Sequence, residues 1–350
     1  MKFCFVVRSI QAQIPTYTTT HLAFEAHKAG HDVYYTTVNS FSYFNQNVYA
    51  TVVSIGKKNF LNRVSFLQHL QTTHEKFETN LSEFEAVWLR YNPNIEKHSE
   101  EANPFAVFDF AKKLSAQGVF VVNNPLGILK ASSKMYLSNL PSSILPKTIT
   151  TRSPIKIKNF IRSIRKPVVI KPISGFGGQD VFFVNNTKEI NINQIITSVS
   201  RHGYVQVQEY LPSVKSGDKR LLLLNGEPIY DKGKVAIYKR LSPKGEIRSN
   251  IHIGGRRKRS AFTDADQHIV DEIREQLIAD GLYFVGVDIV GKKLLEINVF
   301  CPGGIQNINE LNGINVGKRV IENLENKIIS QGHPKYYEKK HLDSLRWGLS

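Results

Sequence analysis

The first third of the chain alternates between two hydrophobic periods. Lys2 to Val7 is a short apolar run with the character of a buried strand. Thr18 to Gly30 carries Leu22, Phe24, Ala26 and Ala29 at helical spacing, and Gly30 stands where a helix stops. His31 to Tyr35 reads as a second strand, so the chain opens β-α-β and predicts a parallel-sheet lobe. Residues 40–80 are polar and aromatic with weak periodicity, and the pattern predicts no element there. Ala86 to Arg90 reads as a strand, Phe105 to Ala116 as a helix closed by Gly118, and Val119 to Val122 as another strand.

A Pro/Ser/Thr-rich stretch, Pro141 to Pro154, marks a boundary, and Ile155 to Arg165 follows as a short basic amphipathic helix. The rest of the chain is dominated by hairpin signals. Pro167 to Pro172 and Val181 to Val184 are strand-like and are joined by glycines; Leu221 to Leu224 and Pro228 to Tyr230 flank Asn225-Gly226; Gly286 to Val290 and Leu294 to Val299 flank Gly291-Lys292-Lys293. Thr263 to Asp266 caps a helix through Ala279, and Ile314 to Ile329 is a final amphipathic helix. The fold class read from this is α/β, in α+β lobes, with a C-terminal tail, 331–350.

Charge and cysteines narrow the class. Lys+Arg 46 against Asp+Glu 30 leaves +16, which favours anionic ligands without choosing among them. Cys4 and Cys301 are too few for a disulfide framework, so a reducing, cytoplasmic setting fits best, and Cys301 reads as a small packed residue beside Pro302. The apolar N-terminal run is cut short by Arg8, unlike a signal peptide, and no stretch approaches the length a membrane helix needs.

The chemistry concentrates in the last hairpin. Its register sets Asp288 opposite Glu296, with Asn298 on the same face as Glu296. Two facing carboxylates repel unless a cation lies between them, and an oxygen-only donor set suits Mg²⁺. In the glycine-rich hairpin a strand, not a helix, follows Gly175, Gly177 and Gly178. That excludes a dinucleotide or Walker loop and leaves a flap whose N–H groups can approach phosphate, with Lys171 as a point charge. Arg220 opens a buried strand and needs an acid or a phosphate as partner. The polar stretch 231–260, with Gly254, Gly255 and Arg256, reads as a lid over an anion. Arg8, Arg90, Asn92 and Asn123 fall at strand ends, where open α/β sheets bind ligands.

Taken together and in order, Lys171-Pro172-Ile173-Ser174-Gly175-Phe176-Gly177-Gly178, Gln208 to Pro212, Gly217-Asp218-Lys219-Arg220, Arg248-Ser249-Asn250, Gly254-Gly255-Arg256 and Asp288 through Glu296-Ile297-Asn298 resemble the ATP-grasp superfamily, and within it the bacterial glutathione synthetases. The resemblance implies an ATP-grasp fold behind an N-terminal parallel-sheet domain, 1–123. It also implies an ATP-dependent carboxylate–amine ligase working through an acyl phosphate. Residues 124–203 would be the small ATP-grasp lobe and 204–330 the large one. Lys134 and Lys171 would contact ATP phosphates. Gln208, Glu209, Tyr210 and Leu211 would hold adenine, with Asp218 also on the nucleotide side. Asp288, Glu296 and Asn298 would bind Mg²⁺, two ions, with Mn²⁺ as a substitute. Arg220, Arg248 and Asn250 would orient the phosphoryl group and the acyl intermediate. Arg90, Asn92, Gly303, Gly304 and Gln306 would face the substrates. Gln306 stands where the family commonly has Arg, which predicts weaker use of glycine or a different amine. The resemblance implies a homo-oligomer acting on small carboxylate and amine substrates. Two other readings are a ligase of the same class in a specialised pathway and, motivated by Arg256-Arg257-Lys258-Arg259, a nucleic-acid or anionic-surface binder. The dispersal of the basic residues and the lack of a nucleic-acid module argue against that binder.

Overall fold

The computed structural model describes residues 1–94, 103–173, 180–189, 191–201, 203–243 and 254–331. The apolar start forms β1 (Lys2–Val7), which continues through α1 (Thr18–Lys28) into β2 (Asp32–Phe44), parallel to β1 with Lys2 opposite Asp32. β2 does not stop near Tyr35. It runs to Phe44, turns at Asn45-Gln46 and pairs antiparallel with β3 (Asn47–Ser54). α2 (Arg63–Thr72) and β4 (Phe77–Asn80) follow, so the stretch without predicted structure is two strands and a helix beyond β2. The reason is local. Both turn residues have positive φ, 46° and 65°, a conformation usually announced by Asn-Gly and concealed here by glutamine. β5 (Ala86–Leu89), α3 (Val107–Ala116) and β6 (Phe120–Val122) complete a sheet of order β4-β3-β2-β1-β5-β6, parallel from β2 to β6.

The second sheet follows α4 (Pro125–Lys130) and a 3₁₀ turn at Lys134–Asn139. β7 (Thr148–Thr151), α5 (Pro154–Ile164), β8 (Val168–Pro172), β9 (Phe182–Val184), α6 (Ile192–Ser200) and β10 (Val205–Glu209) make an antiparallel sheet of order β7-β10-β8-β9. The apolar stripes of α5 and α6, through Ile157, Ile161, Ile196 and Val199, cover Val168, Ile170 and Val207.

The third sheet is built from β11 (Asp218–Leu224), the short β12 (Glu227–Pro228), β13 (Tyr230–Asp231) and β14 (Lys234–Val235) nearby, then β15 (Ile237–Leu241), β16 (Arg256–Arg259), α7 (Asp264–Ala279), β17 (Phe284–Val290) and β18 (Lys293–Asn298). Its order is β16-β15-β11-β17-β18. The stretch 231–260, read as one polar loop, is therefore largely sheet: β14, β15 and β16 occupy it, and residues 244–253 lie outside the described residues. β15 has no clear strand signature because its alternation carries Lys239 and Arg240 among apolar residues. Two helices close the described chain, α8 (Ile305–Asn312) and α9 (Val316–Ser330). α8, which the pattern did not predict, buries Ile305 and Ile308 three apart and ends at Gly313 with φ 67°. The tail, 332–350, lies outside the described residues.

One face of the third sheet packs Leu221, Leu223, Val285 and Val287 against Ile269, Ile273 and Leu277 of α7. The other face packs Leu222, Leu224 and Phe284 toward the first sheet, where Trp88 meets Phe284. Asn123, at the end of β6, joins the two sheets. Its Nδ2 donates to the carbonyls of Phe284 (2.9 Å) and Val299 (2.8 Å), and its Oδ1 accepts from the Phe284 N–H (2.7 Å). Asn123 is thus a buried bridge between sheets rather than a strand-end ligand. Replacing it by Ala leaves three backbone groups unsatisfied in a dry interface. Asn123→Ala should lower stability to urea unfolding by about 2–4 kcal/mol.

Candidate active site

The charged end of the third sheet's inner face is one continuous arrangement. Side chains two apart on a strand, and those directly opposite across strands, share a face. Register places Asp218 opposite Arg240, Arg220 opposite Asp288, and Asp288 opposite Glu296. Asn298 lies opposite Gly286 on the same face. Arg220 grips Asp288 with two bonds, Nε to Oδ1 at 2.5 Å and Nη2 to Oδ2 at 2.9 Å. Arg240 reaches both Asp288 Oδ2 (2.9 Å) and Asp218. All four side chains are buried. Burial alone would raise the Asp288 pKa, but the Arg220 and Arg240 guanidiniums override it and hold the carboxyl well below its usual range. Gly286 makes this geometry accessible, because a Cβ there would press on Arg220 and Pro302.

Arg220 therefore has an acid partner, Asp288. Asp218, expected on the nucleotide side, is buried and bound by Arg240. Arg240 was not singled out by sequence; the signal that would have found it is its place opposite Asp218, which requires β15 to be recognised first.

Glu296 and Asn298 line a cavity together with Asn92, Lys134, Ile173 and Phe300. Asn298 Nδ2 donates to Asp288 Oδ2 and to the Gly286 carbonyl, both at 3.3 Å, which leaves its oxygen for another partner. No ion pair holds Glu296 among the described residues. The counter-charge that facing carboxylates need is supplied to Asp288 by the two guanidiniums, and its oxygens are spent on Arg220, Arg240 and Asn298. The donors left facing the cavity are the Glu296 carboxylate and the Asn298 oxygen, which suit a hard divalent cation such as Mg²⁺.

Lys171 projects from β8 into the same region. Its Nζ donates to Gln208 Oε1 (3.1 Å), and Gln208 Nε2 in turn reaches Thr148 (3.3 Å). Desolvation first, then the nearby Lys134 charge, lowers the Lys171 pKa to about 8, and Glu296 opposes the shift. Desolvation also lowers Lys134, again against Glu296. Lys134 is placed by its N–H to the Ile173 carbonyl (3.1 Å), while Lys130 and Tyr136, flanking it in sequence, both bind Asp280 at the end of α7. Glu209 and Tyr210 already spend their N–H groups on the carbonyls of Lys147 and Pro167, both at 2.9 Å; Leu211 continues this segment.

Arg90 is buried at the end of β5 and donates to Thr19 Oγ1 (3.2 Å) and the Pro302 carbonyl (3.1 Å), beside the Phe284 ring. Asn92 closes a local turn by accepting from the Asn94 N–H. The Gly303 carbonyl accepts from Arg220 (3.4 Å), and Gly304, at φ 120°, has a backbone conformation that side chains rarely adopt and would set a Cβ tightly against the Tyr238 ring at 3.1 Å. Gln306 is bound by Arg63 and His21, two residues no sequence motif marked. Cys301 is unpaired and exposed as a residue, while desolvation of its thiol raises the pKa against the Arg90 and Arg220 charges. Gly254 and Gly255 precede β16, where Arg256 is exposed at the sheet edge. Of the basic run, Arg257 binds Glu310 and Asn307, and Arg259 donates to the Leu311 carbonyl, so half of it docks β16 onto α8. Gly175, Gly177, Gly178, Arg248 and Asn250 lie outside the described residues.

Breaking the four-membered ion network from its middle leaves two buried carboxylates short of a counter-charge. Arg240→Ala should cost about 3–5 kcal/mol in urea unfolding, far more than a surface arginine.

The profile of the prokaryotic glutathione synthetase N-terminal domain matches residues 1–128, and that of the prokaryotic glutathione synthetase ATP-grasp domain matches residues 133–313. A glutathione synthetase of Thermosynechococcus vestitus is 37% identical over 243 residues, 69% of this chain and 72% of that protein. One of Synechococcus elongatus is 31% identical over 349 residues, covering 95% of this chain and all of that protein. Among solved structures, the macrocyclase MdnC of Microcystis aeruginosa, bound with the precursor peptide MdnA, superposes with a TM-score of 0.62 at 15% identity, covering 93% of this chain and 100% of that one. D-cycloserine synthetase DcsG superposes with a TM-score of 0.58 at 14% identity, covering 92% and 99%. The last two share the fold alone. The chain belongs to the prokaryotic glutathione synthetase family, on an ATP-grasp fold.

Proposed function

We propose that this protein is an ATP- and Mg²⁺-dependent ligase that joins the cysteinyl carboxylate of γ-glutamylcysteine to glycine, forming glutathione, ADP and phosphate. The observation that carries this reading is the cavity lined by Lys134 and the oxygen donors Glu296 and Asn298, with Lys171 near enough to feel the charges of both Lys134 and Glu296 and the two lysines both destabilised as cations by desolvation. Such a pair is repaid by a polyanion, and such donors by the divalent cation that accompanies it. Relatives that carry the name glutathione synthetase along nearly the whole chain support the same reaction.

In this reading Lys171 and Lys134 bind the ATP phosphates. Gln208 to Leu211 border the adenine, and Asp218 serves from behind by orienting Arg240. Glu296 and the Asn298 oxygen would hold Mg²⁺, two ions, with Mn²⁺ able to replace them, and Asp288 would join them only by yielding one of its bonds to Arg220, Arg240 or Asn298. Bound there, the metal neutralises phosphate charge and polarises the γ-phosphoryl group. A carboxylate oxygen of the acyl substrate attacks the γ-phosphorus, the bond to the ADP oxygen breaks, and an acyl phosphate forms. Arg220, fixed by Asp288, supplies positive charge beside the Gly303 carbonyl where that intermediate would lie. The glycine amine then attacks the acyl carbon, loses a proton, and phosphate leaves. Arg90 and Asn92 border the substrates from the first sheet. A cytoplasmic setting and a homo-oligomer belong to the same reading, the former supported by the two unpaired cysteines, Cys4 and Cys301. The runner-up is a ligase of the same chemistry with another carboxylate and amine, favoured by Phe300, Gly303, Gly304 and Gln306 at the substrate end.

Phosphate release from ATP and Mg²⁺ with γ-glutamylcysteine, with and without glycine and with the product identified by mass, tests this. Glycine-dependent turnover to glutathione is expected; ADP formation only with other pairs selects the runner-up, and no turnover with any pair sinks the ligase reading. Proton linkage gives a second check. Lys171 loses its proton near pH 8 when empty and should regain it against phosphate. Calorimetric ATP titrations at pH 8 in buffers of different ionisation enthalpy should show uptake of roughly half a proton, absent at pH 6.5 and in Lys171→Met.

A further inference from the structure

α1, α2 and α8 meet at a polar cluster just beyond Gly303 and Gly304. Gln306, in the first turn of α8, accepts from Arg63 Nη2 (2.9 Å), and its Oε1 lies 2.6 Å from His21 Nε2, while its Nε2 donates to Glu310. His21 is buried. Desolvation first and the Arg63 charge second lower its pKa to about 4, so near neutral pH it is an uncharged N–H donor. The Gln306 oxygen is then saturated, with both lone pairs used. Arg63 Nε donates to the Pro15 carbonyl (3.0 Å). Its protein partners are thus two neutral oxygens, and no carboxylate lies within 4 Å of it among the described residues. Glu25 and Glu310 lie beyond that distance and offset only part of its desolvation, and Glu310 is itself bound by Arg257 (2.5 Å). Desolvation lowers the Arg63 pKa as well. A guanidinium has five N–H groups, and two are spent here.

A partly desolvated cation with neutral partners is costly unless an anion completes it. A staple between helices would be served as well by a neutral side chain. The rigid fork of arginine suits a carboxylate. Gln306, which holds the guanidinium, follows by three residues along the chain the Gly303 whose carbonyl accepts from Arg220, in the segment read above as facing the substrates.

We propose that Arg63, positioned by Gln306, receives a substrate carboxylate other than the one that reacts. This rests on the ligase reading, in which two such groups exist: the carboxylate of glycine and the α-carboxylate at the γ-glutamyl end of the acyl substrate. Either way a guanidinium reaches position 306 from α2, and the Gln there does not leave the site without one.

Steady-state kinetics of wild type, Arg63→Gln and Arg63→Lys, varying glycine, γ-glutamylcysteine and ATP separately, decide it. The expected result for Arg63→Gln is a rise on the order of 10- to 100-fold in KM for one carboxylate substrate. The KM for ATP should stay unchanged, and Arg63→Lys should recover part of the loss. The substrate whose KM moves identifies the source, and its amide analogue (glycinamide, or the γ-glutamyl α-amide) should react equally with wild type and Arg63→Gln. Unchanged KM values for both, with loss confined to kcat or thermal stability, make Arg63 a structural staple and overturn the inference. Should Arg63→Gln not fold, the wild-type preference for each substrate over its amide and the Arg63→Lys KM discriminate instead: a preference together with a raised KM supports the inference, and no preference overturns it. An inactive wild type sinks the ligase reading and this inference together; an active wild type with unmoved KM values sinks the inference alone.

Discussion

A carboxylate buried on a sheet face needs counter-charge, and Asp288 has two guanidiniums. Arg220 and Arg240 share it, and Arg240 shares itself with Asp218. The alternation of two positive and two negative groups across β15, β11 and β17 lets four ionised side chains lie out of water together. Each is held by the next, so none is free to turn. This rigid row positions what lies at its edge: Glu296 one strand on, Asn298 beside it, and the Gly303 carbonyl on Arg220.

The rest of the molecule supports that row from three directions. α7 covers the far face of the sheet with aliphatic side chains, and Asp266 at its start takes the charge of Lys219 (2.5 Å). The first sheet closes on the near face through Trp88, Phe284 and Asn123. The second sheet contributes Lys171 from an antiparallel pair, and the turn carrying Lys134 is bracketed by contacts to Asp280. A cavity between three separately built sheets is how side chains over a hundred residues apart come to face one another.

Electrostatically the site is divided. The Asp–Arg row is internally balanced, whereas desolvation outweighs the neighbouring acids at Lys134, Lys171 and Arg63, and lowers buried Arg90 as well. That imbalance suits a cleft for phosphates and carboxylates. It also explains part of the chain's +16: some of the excess is held at the site, and some, as with Arg257 and Arg259, docks β16 against α8.

Local pattern determined a good deal by itself. The period-2 runs and turn residues locate the β17–β18 hairpin, and with it the pairing of Asp288 and Glu296, because strand register across a tight turn is a short-range property. The β-α-β start, the α7 cap and the antiparallel β8–β9 pair are short-range in the same sense. Other features have no local signature. β3 hides behind an Asn-Gln turn, and α8 is too short for its period to stand out. Arg240, Arg63 and His21 gain their meaning from partners 22, 243 and 285 residues away. Whether a buried charge is paired, and with what, is set by which sheets and helices close upon it, and the tertiary structure alone decides that.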